Sequence, residues 1–352
     1  MPDWTKSMQQ SFEYYIVDPV SWRDVKRIDG IKACTISRDS TVETLGSASV
    51  TLTESVGECY IRAYLITIQN GVTEKHPLGT RLIQTPSTSY DGRMKNITVD
   101  AYTPLLELKE NPPPLGYSIA KDNGIMASAY QICRDNMRPP VVKPTSDKEL
   151  YSDFVSQTND TWLSFAGDLI ANAKFQFGLD ELDRVIFEPV QNVATMQPKW
   201  TFDDGNSSIL YSDITMDHDL YGIPNVVEVV YSTAHHNYTA RAVNDDSNSP
   251  TSTVNRGREI LYRVTDLSSI GDPTNHQIDE YAKLVLKQLS SVEYTIRYTH
   301  GYCPVRVGDC VRLNYEKAGI NNIKAKVTSQ SIKCEPGCPV TETAVFTANL
   351  WG

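Results

Sequence analysis

The chain has 352 residues, 40% of them hydrophobic, enough for two or three compact domains with packed cores. Lys and Arg number 33 against 43 Asp and Glu, a formal charge of -10, which argues against a protein that coats duplex nucleic acid by neutralising its phosphates. The N-terminus MPDWTKSMQQSFEYY has no basic region followed by an apolar run, and no later stretch is long enough to span a bilayer, so a soluble, unprocessed chain is expected.

From Ile28 to Leu108 apolar and polar residues alternate in short runs such as "ACTISRD" and "ASVTLTES", predicting one antiparallel β domain, a barrel or a sandwich. The three prolines of "NPPPLGYSIAKDNG" can neither continue a helix nor donate to a ladder, and they mark a boundary. A mixed helical segment is expected over 107–200. In it Ile125, Ala129, Ile132 and Cys133 share one helical face, and Ser146 to Glu149 has the form of a capping box. A second helix begins near Thr161, with Trp162, Phe165, Ala166, Leu169, Ile170 and Ala173 at i, i+3, i+4, i+7 spacing. "FQFGLDELDRVIFEP" then reads as a hairpin turning over Asp180 to Asp183.

Residues 201–352 are expected to form a second β domain. "IPNVVEVVYSTA" is a strand, and 244–257 is a polar loop with no apolar face to bury, hence the expected mobile segment. A capping helix over 274–289 has Thr274 and Gln277 as its capping box and Ile278, Tyr281, Ala282, Val285 and Leu289 on one side. It leads into "SSVEYTIRYTHGYCPVRVGDCVRL", where Val292, Tyr294, Ile296 and Tyr298 alternate with Glu293, Thr295, Arg297 and Thr299, as in a half-buried strand.

Signatures of catalysis are missing: no G-x-S-x-G elbow, P-loop, H-E-x-x-H or dinucleotide-binding glycine pattern occurs. The carboxylates a hydrolase would use are Asp203, Asp204, Asp213, Asp217 and Asp219, although acidic residues between strands are ordinarily turn formers. His235 and His236 are adjacent, point to opposite faces of a strand, and suit a hairpin tip better than one shared metal. The seven cysteines, at 34, 59, 133, 303, 310, 334 and 338, are an odd number, which argues against a secreted disulfide framework and for synthesis in a reducing cytoplasm. Antiparallel pairing could bring Cys303 and Cys310 to Cys334 and Cys338; their spacings do not match a zinc knuckle, and metal, disulfide or free thiols all remain open. The sequons at Asn96, Asn159, Asn206 and Asn237 carry meaning only in a secretory pathway.

The order and spacing of "NPPPLGYSIAKDNG", "WLSFAGDLIANAKFQFGLDELDRVIFEP", "YGIPNVVEVVYS", "SPTSTVNRGREI" and the final "LSSVEYTIRYTHGYCPVRVGDCVRLNY" with "SIKCEPG" resemble the baseplate hub proteins of tailed bacteriophages and contractile injection systems, over nearly the whole chain. The resemblance implies an α+β protomer of two β-barrel domains with helical and mixed segments between them, the first barrel from 1–106 and the second from strands beyond Val226. It implies a homotrimer whose six barrels ring the tail tube, located in the virion tail and assembled in the host bacterial cytoplasm. The partners it implies are the tail tube or distal tail protein, the tape-measure protein and a tip or spike protein; from the residues themselves no cofactor, metal site, catalysis, specific nucleic-acid binding or membrane segment is expected. Some relatives carry a lysozyme-like, peptidase or fibre extension after the second barrel; the sequence ending at "ANLWG" leads to the expectation that any wall-degrading function sits on another polypeptide. In Arg306 to Val311 the resemblance places a turn into the next strand, with Gly308 freeing the backbone and Asp309 bonding it locally. Two rival functions are a carbohydrate-binding, adhesin-like protein, which would use some of the 19 tyrosines to stack on sugars, and a cell-wall hydrolase.

Overall fold

The alternation in the sequence becomes strand along most of the chain. The computed structural model describes residues 2–90, 92, 95–146, 148–233, 236–265 and 273–351. Seven strands come first: β1 (Gln9–Val17), β2 (Asp24–Ile28), β3 (Ile31–Asp39), β4 (Gly46–Leu52), β5 (Tyr60–Gln69), β6 (Val72–Tyr90) and β7 (Lys95–Tyr102). The middle contains α1 (Leu106–Lys109), β8 (Ser118–Ile119), α2 (Ile125–Asn136), β9 (Phe154–Val155), α3 (Trp162–Ala171), β10 (Phe175–Leu179) and β11 (Val185–Pro189). It is followed by β12 (Trp200–Asp203), β13 (Leu210–His218), β14 (Val226–Ser232), β15 (Asn237–Val243), α4 (Thr253–Arg256), β16 (Leu261–Val264) and α5 (Asn275–Leu289). Four strands complete the chain: β17 (Ser291–Gly301), β18 (Cys310–Tyr315), β19 (Ile320–Lys333) and β20 (Pro339–Asn349). The protein is therefore mostly β with a helical minority.

By compactness the chain divides into two units, one of residues 1–214 and 297–344, the other of 215–296 and 345–352; β13, β17 and β20 contribute residues to both. This differs from the three-segment division expected above, since 1–106 and 107–200 lie together in the first unit and 201–352 is shared.

The first unit is organised by a sheet of order β13-β17-β20-β19-β3-β4-β7-β6-β5-β1-β2, to which β18 adds beside β19 and β12 beside β18. Two separate closed barrels were expected. Among the described residues the order is an open path, because β3 pairs antiparallel with β19, from Ser329 opposite Asp39 to Lys333 opposite Thr35, and joins the early strands to the late ones. The alternation read in β17 is present, with Val292, Ile296 and Tyr298 buried and Glu293 and Arg297 exposed. Gly46 opens β4 at φ +128°, where a Cβ would lie 2.2 Å from the backbone oxygen of Ser37, so the β3–β4 connection requires glycine.

Also in the first unit, α2 and α3 pack together with α1 over a core of Leu108, Met126, Ala129, Phe165, Ala166 and Leu169. Both helices carry the faces expected of them. Thr161 caps α3, its hydroxyl accepting the Ser164 N–H while the Ser164 hydroxyl accepts the Thr161 N–H, a reciprocal box. Among the described residues the other expected box begins no helix: Glu149 instead forms an isolated bridge with Gly124, because an S-x-x-E pattern without a following apolar period has nothing to bury.

In the second unit α5 packs on the three-stranded sheet β15-β14-β16, burying Ile278, Ala282 and Leu286 against Val227, Val229 and Ala240. Its capping box is the expected one, the Thr274 hydroxyl accepting the Gln277 N–H and Gln277 returning the bond. The loop over 244–257 departs from expectation. Asn244, Ser249, Thr251 and Ser252 are fully or nearly fully buried. Asn244 Nδ2 donates to Ser249 Oγ at 2.8 Å, Asn255 Nδ2 donates to the carbonyls of Ser247 and Ser249 at 2.8 Å each, and Ser252 caps α4. The segment is ordered by polar groups that satisfy one another, so it needs no apolar face.

Candidate functional site

The β10–β11 hairpin carries the turn expected over Asp180 to Asp183, with Leu179 opposite Val185. Asp180 Oδ1 accepts the N–H groups of Leu182 at 2.9 Å and Arg184 at 2.8 Å, an Asx arrangement that closes the turn locally. Asp183 adopts a left-handed conformation at φ 59° and sends its carboxylate toward β6, where it accepts the Thr80 N–H and pairs with Arg81. The Leu182 carbonyl accepts the Trp22 indole N–H at 2.8 Å and the Thr80 hydroxyl at 2.9 Å. From another side, Arg306 Nη2 donates to the carbonyls of Leu179 at 3.0 Å and Asp180 at 2.6 Å. The hairpin tip is thereby fastened to early and late strands alike.

Arg306 itself begins the turn singled out in the sequence. Its N–H donates to Asp309 Oδ2 at 2.7 Å, and Gly308 takes φ +95°. Both expected roles are met. Asp309 also binds Lys199 Nζ at 3.0 Å. Between this turn, the hairpin and β19 lies a cleft of about 410 Å³ presenting Glu188, Lys199, Arg306, Asp309 and Lys326. Glu188 folds across Gly178, where a Cβ would approach its Cδ to 2.7 Å. Burial raises the Glu188 carboxyl above the usual glutamate value, and Arg306 and Lys326 oppose the rise. A half-buried carboxylate edged by cations and backbone polar groups suits docking of a polar segment; among the described residues lining it, none pairs a nucleophile with a general base.

The candidate carboxylates do not converge on one centre. Asp203 Oδ1 accepts the Gly205 N–H at 2.9 Å and Asp219 Oδ1 the Tyr221 N–H at 2.7 Å, so both form turns; Asp204 and Asp213 are exposed. In the second unit Asp217 and Asp219 line an open depression of about 540 Å³ with Glu293. Nearby, His218, Tyr294 and Phe346 stack across three strands at 4.5 and 5.0 Å between ring centroids. His236 lies at the β14–β15 turn, as expected of a hairpin tip, with Nε2 2.7 Å from Asn275 Oδ1, whereas His235 lies outside the described residues.

All seven cysteines are free. Cys303 Sγ lies 3.8 Å from His300 Nδ1, Cys310 Sγ lies 3.7 Å from the Val311 carbonyl oxygen, and Cys338 is buried. Cys334 lies opposite Cys34 across the end of the β3–β19 ladder, its N–H donating to the Cys34 carbonyl at 2.9 Å, a pairing the sequence does not indicate. Among the described residues no three His, Cys, Asp or Glu side chains group as a metal site.

The first unit also holds a buried polar network that no local sequence motif announces. Glu342 accepts the Tyr298 hydroxyl and Gln330 Nε2, with His300 beside it; Gln330 Oε1 in turn accepts Arg38 Nη1 at 3.1 Å. One sign was available: His300 continues the apolar row of Val292, Ile296 and Tyr298, where a polar residue demands a partner.

No protein-family model matches the sequence, and no curated protein matches it in sequence. The fold is that of phage tail proteins. The structure is similar to the tail protein from Neisseria meningitidis MC58, with a TM-score of 0.60 at 10% identity over 97% of this chain and 98% of that one. It is also similar to the 43 kDa tail protein of prophage MuSo2 from Shewanella oneidensis, with a TM-score of 0.58 at 10% identity over 95% of this chain and 98% of the other. Among the described residues no helix is long and apolar enough to cross a membrane.

Proposed function

We propose that the protein is a structural hub of a phage or phage-like tail, a homotrimer whose ring joins the tail tube to the tip or spike and meets the tape-measure protein. The observation that carries this is the end-to-end structural similarity to tail proteins, 97% of this chain against 98% of the Neisseria protein. In this proposal residues 1–106 and the strands beyond Val226 act as two barrel-like ring elements of each protomer. Strands β2 and β13, at the two ends of the sheet order, are largely exposed, and such edges call for cover. Unlike surfaces joined head to tail close as a cyclic trimer. The protein would reside in the virion tail after assembly in the bacterial cytoplasm, without catalytic function, cofactor or specific affinity for nucleic acid; the charge of -10 supports a wall that lets DNA pass.

Native mass measurement is expected to give a trimer, alone or once tail partners are added. A particle that stays monomeric with those partners present would refute the proposal. A carbohydrate-binding reading has one observation in its favour, the His218, Tyr294 and Phe346 stack beside Asp217 and Asp219, and it predicts glycan binding that is lost in Tyr294→Ala.

A further inference from the structure

We propose that Cys34 and Cys334 form a reversible, oxidant-driven disulfide that locks the seam between β3 and β19. The inference is independent of the tail assignment. In the β3–β19 ladder Ile332 lies opposite Ile36, and both are buried on the same face. Successive side chains of a strand alternate, so the residues two positions further along, Cys334 and Cys34, share that face and oppose one another. The Cys334 N–H donates to the Cys34 carbonyl at 2.9 Å, which carries the ladder to this pair. Opposed hydrogen-bonded residues in an antiparallel pair have Cα atoms about 5.5 Å apart, inside the roughly 4.4–6.8 Å range that a disulfide spans. The ladder register and this backbone bond therefore set the two thiols side by side on one face of the sheet.

The two cysteines are unequal. Cys334 is partly exposed, whereas Cys34 is buried and its contact with Cys334, together with burial, pushes its thiol well above the usual range. Reaction therefore begins at Cys334. With a peroxide as oxidant, the Cys334 thiolate attacks one peroxide oxygen, the O–O bond breaks, and the departing hydroxide takes a proton to become water. Cys34 sulfur then attacks the resulting sulfenic acid; the S–O bond breaks and hydroxide leaves with the Cys34 proton as a second water. Two electrons pass from the thiol pair to the peroxide, and a dithiol reductant reverses the link.

The test treats the purified full-length protein with hydrogen peroxide, alkylates the remaining thiols under denaturing conditions, and maps the digest by mass spectrometry. A peptide pair joining Cys34 to Cys334, lighter by two hydrogens than the reduced pair, is expected, with the other cysteines alkylated. Cys334→Ser should leave Cys34 fully alkylated, and Cys338→Ser should leave the link intact. Linkage of Cys334 to Cys338, or Cys334 stopping at an oxygen acid while Cys34 stays alkylatable, would overturn the proposal.

Discussion

His300 Nε2 lies 3.2 Å from Glu342 Oε1 with both residues wholly removed from solvent. The pair belongs to the network that also contains Tyr298, Gln330 and Arg38, and its Nδ1 side is engaged, that nitrogen lying 2.6 Å from the Gly301 carbonyl. Burial, with the Glu342 carboxylate beside it, pushes the Tyr298 phenol well above its usual range, so Tyr298 remains a donor.

Glu342→Ala is therefore expected to cost about 3–5 kcal/mol, since breaking a buried charged network strands its remaining members. Glu342→Gln should cost less, because it keeps an acceptor for Tyr298. Urea unfolding of the two variants checks the order, and equal losses would contradict it.

A similar loss is expected where the hairpin tip is fastened. Arg81 and Asp183 are 3% and 1% exposed, so Asp183→Ala leaves an uncompensated buried guanidinium at a cost of about 3–5 kcal/mol. Asp183→Asn tolerates the left-handed backbone and isolates the charge effect. A double-mutant cycle with Arg81→Met measures the coupling, which should be favourable and exceed the roughly 0–1 kcal/mol typical of surface pairs.

The Glu188 carboxyl titrates above its usual value of 4.5, so between that value and its raised one the folded protein holds a proton that the unfolded chain releases. Stability from this group is present at lower pH and falls as pH rises through that window. Glu188→Gln should melt higher than the parent at neutral pH, the difference shrinking as pH drops below the usual glutamate value. Parallel melting curves across pH would rule this out.

In the second unit, Thr274→Ala removes the hydroxyl that accepts the Gln277 N–H and should cost about 0.5–2 kcal/mol, with Thr274→Ser retaining most of it. Hydrogen exchange at the start of α5 locates the effect.

These sites differ in how far the sequence reveals them. The Thr274 and Gln277 box, the faces of α2 and α3, the Asp180 turn and the Arg306 to Asp309 turn were all legible, because each depends on residues within about four positions and on one strand or helix period. Ser146 to Glu149 shows the limit of such motifs: the local pattern is present, yet no apolar period follows to make a helix worth forming. The order of the polar segment over 244–257 does not show in composition, because mutual hydrogen bonding among Asn244, Ser249 and Asn255 is a property of three-dimensional placement.

The sequence by itself determined most of the strands, the faces of α2, α3 and α5, and the resemblance to phage tail proteins. Only the tertiary structure decided that β3 pairs with β19, that Cys34 therefore meets Cys334, that Asp183 reaches Arg81, and that Glu342 gathers Tyr298, His300 and Gln330. The reason is physical: alternation specifies which face a strand buries and leaves open which distant strand lies beside it. Partner and register are chosen by the summed burial and hydrogen bonding of the whole sheet.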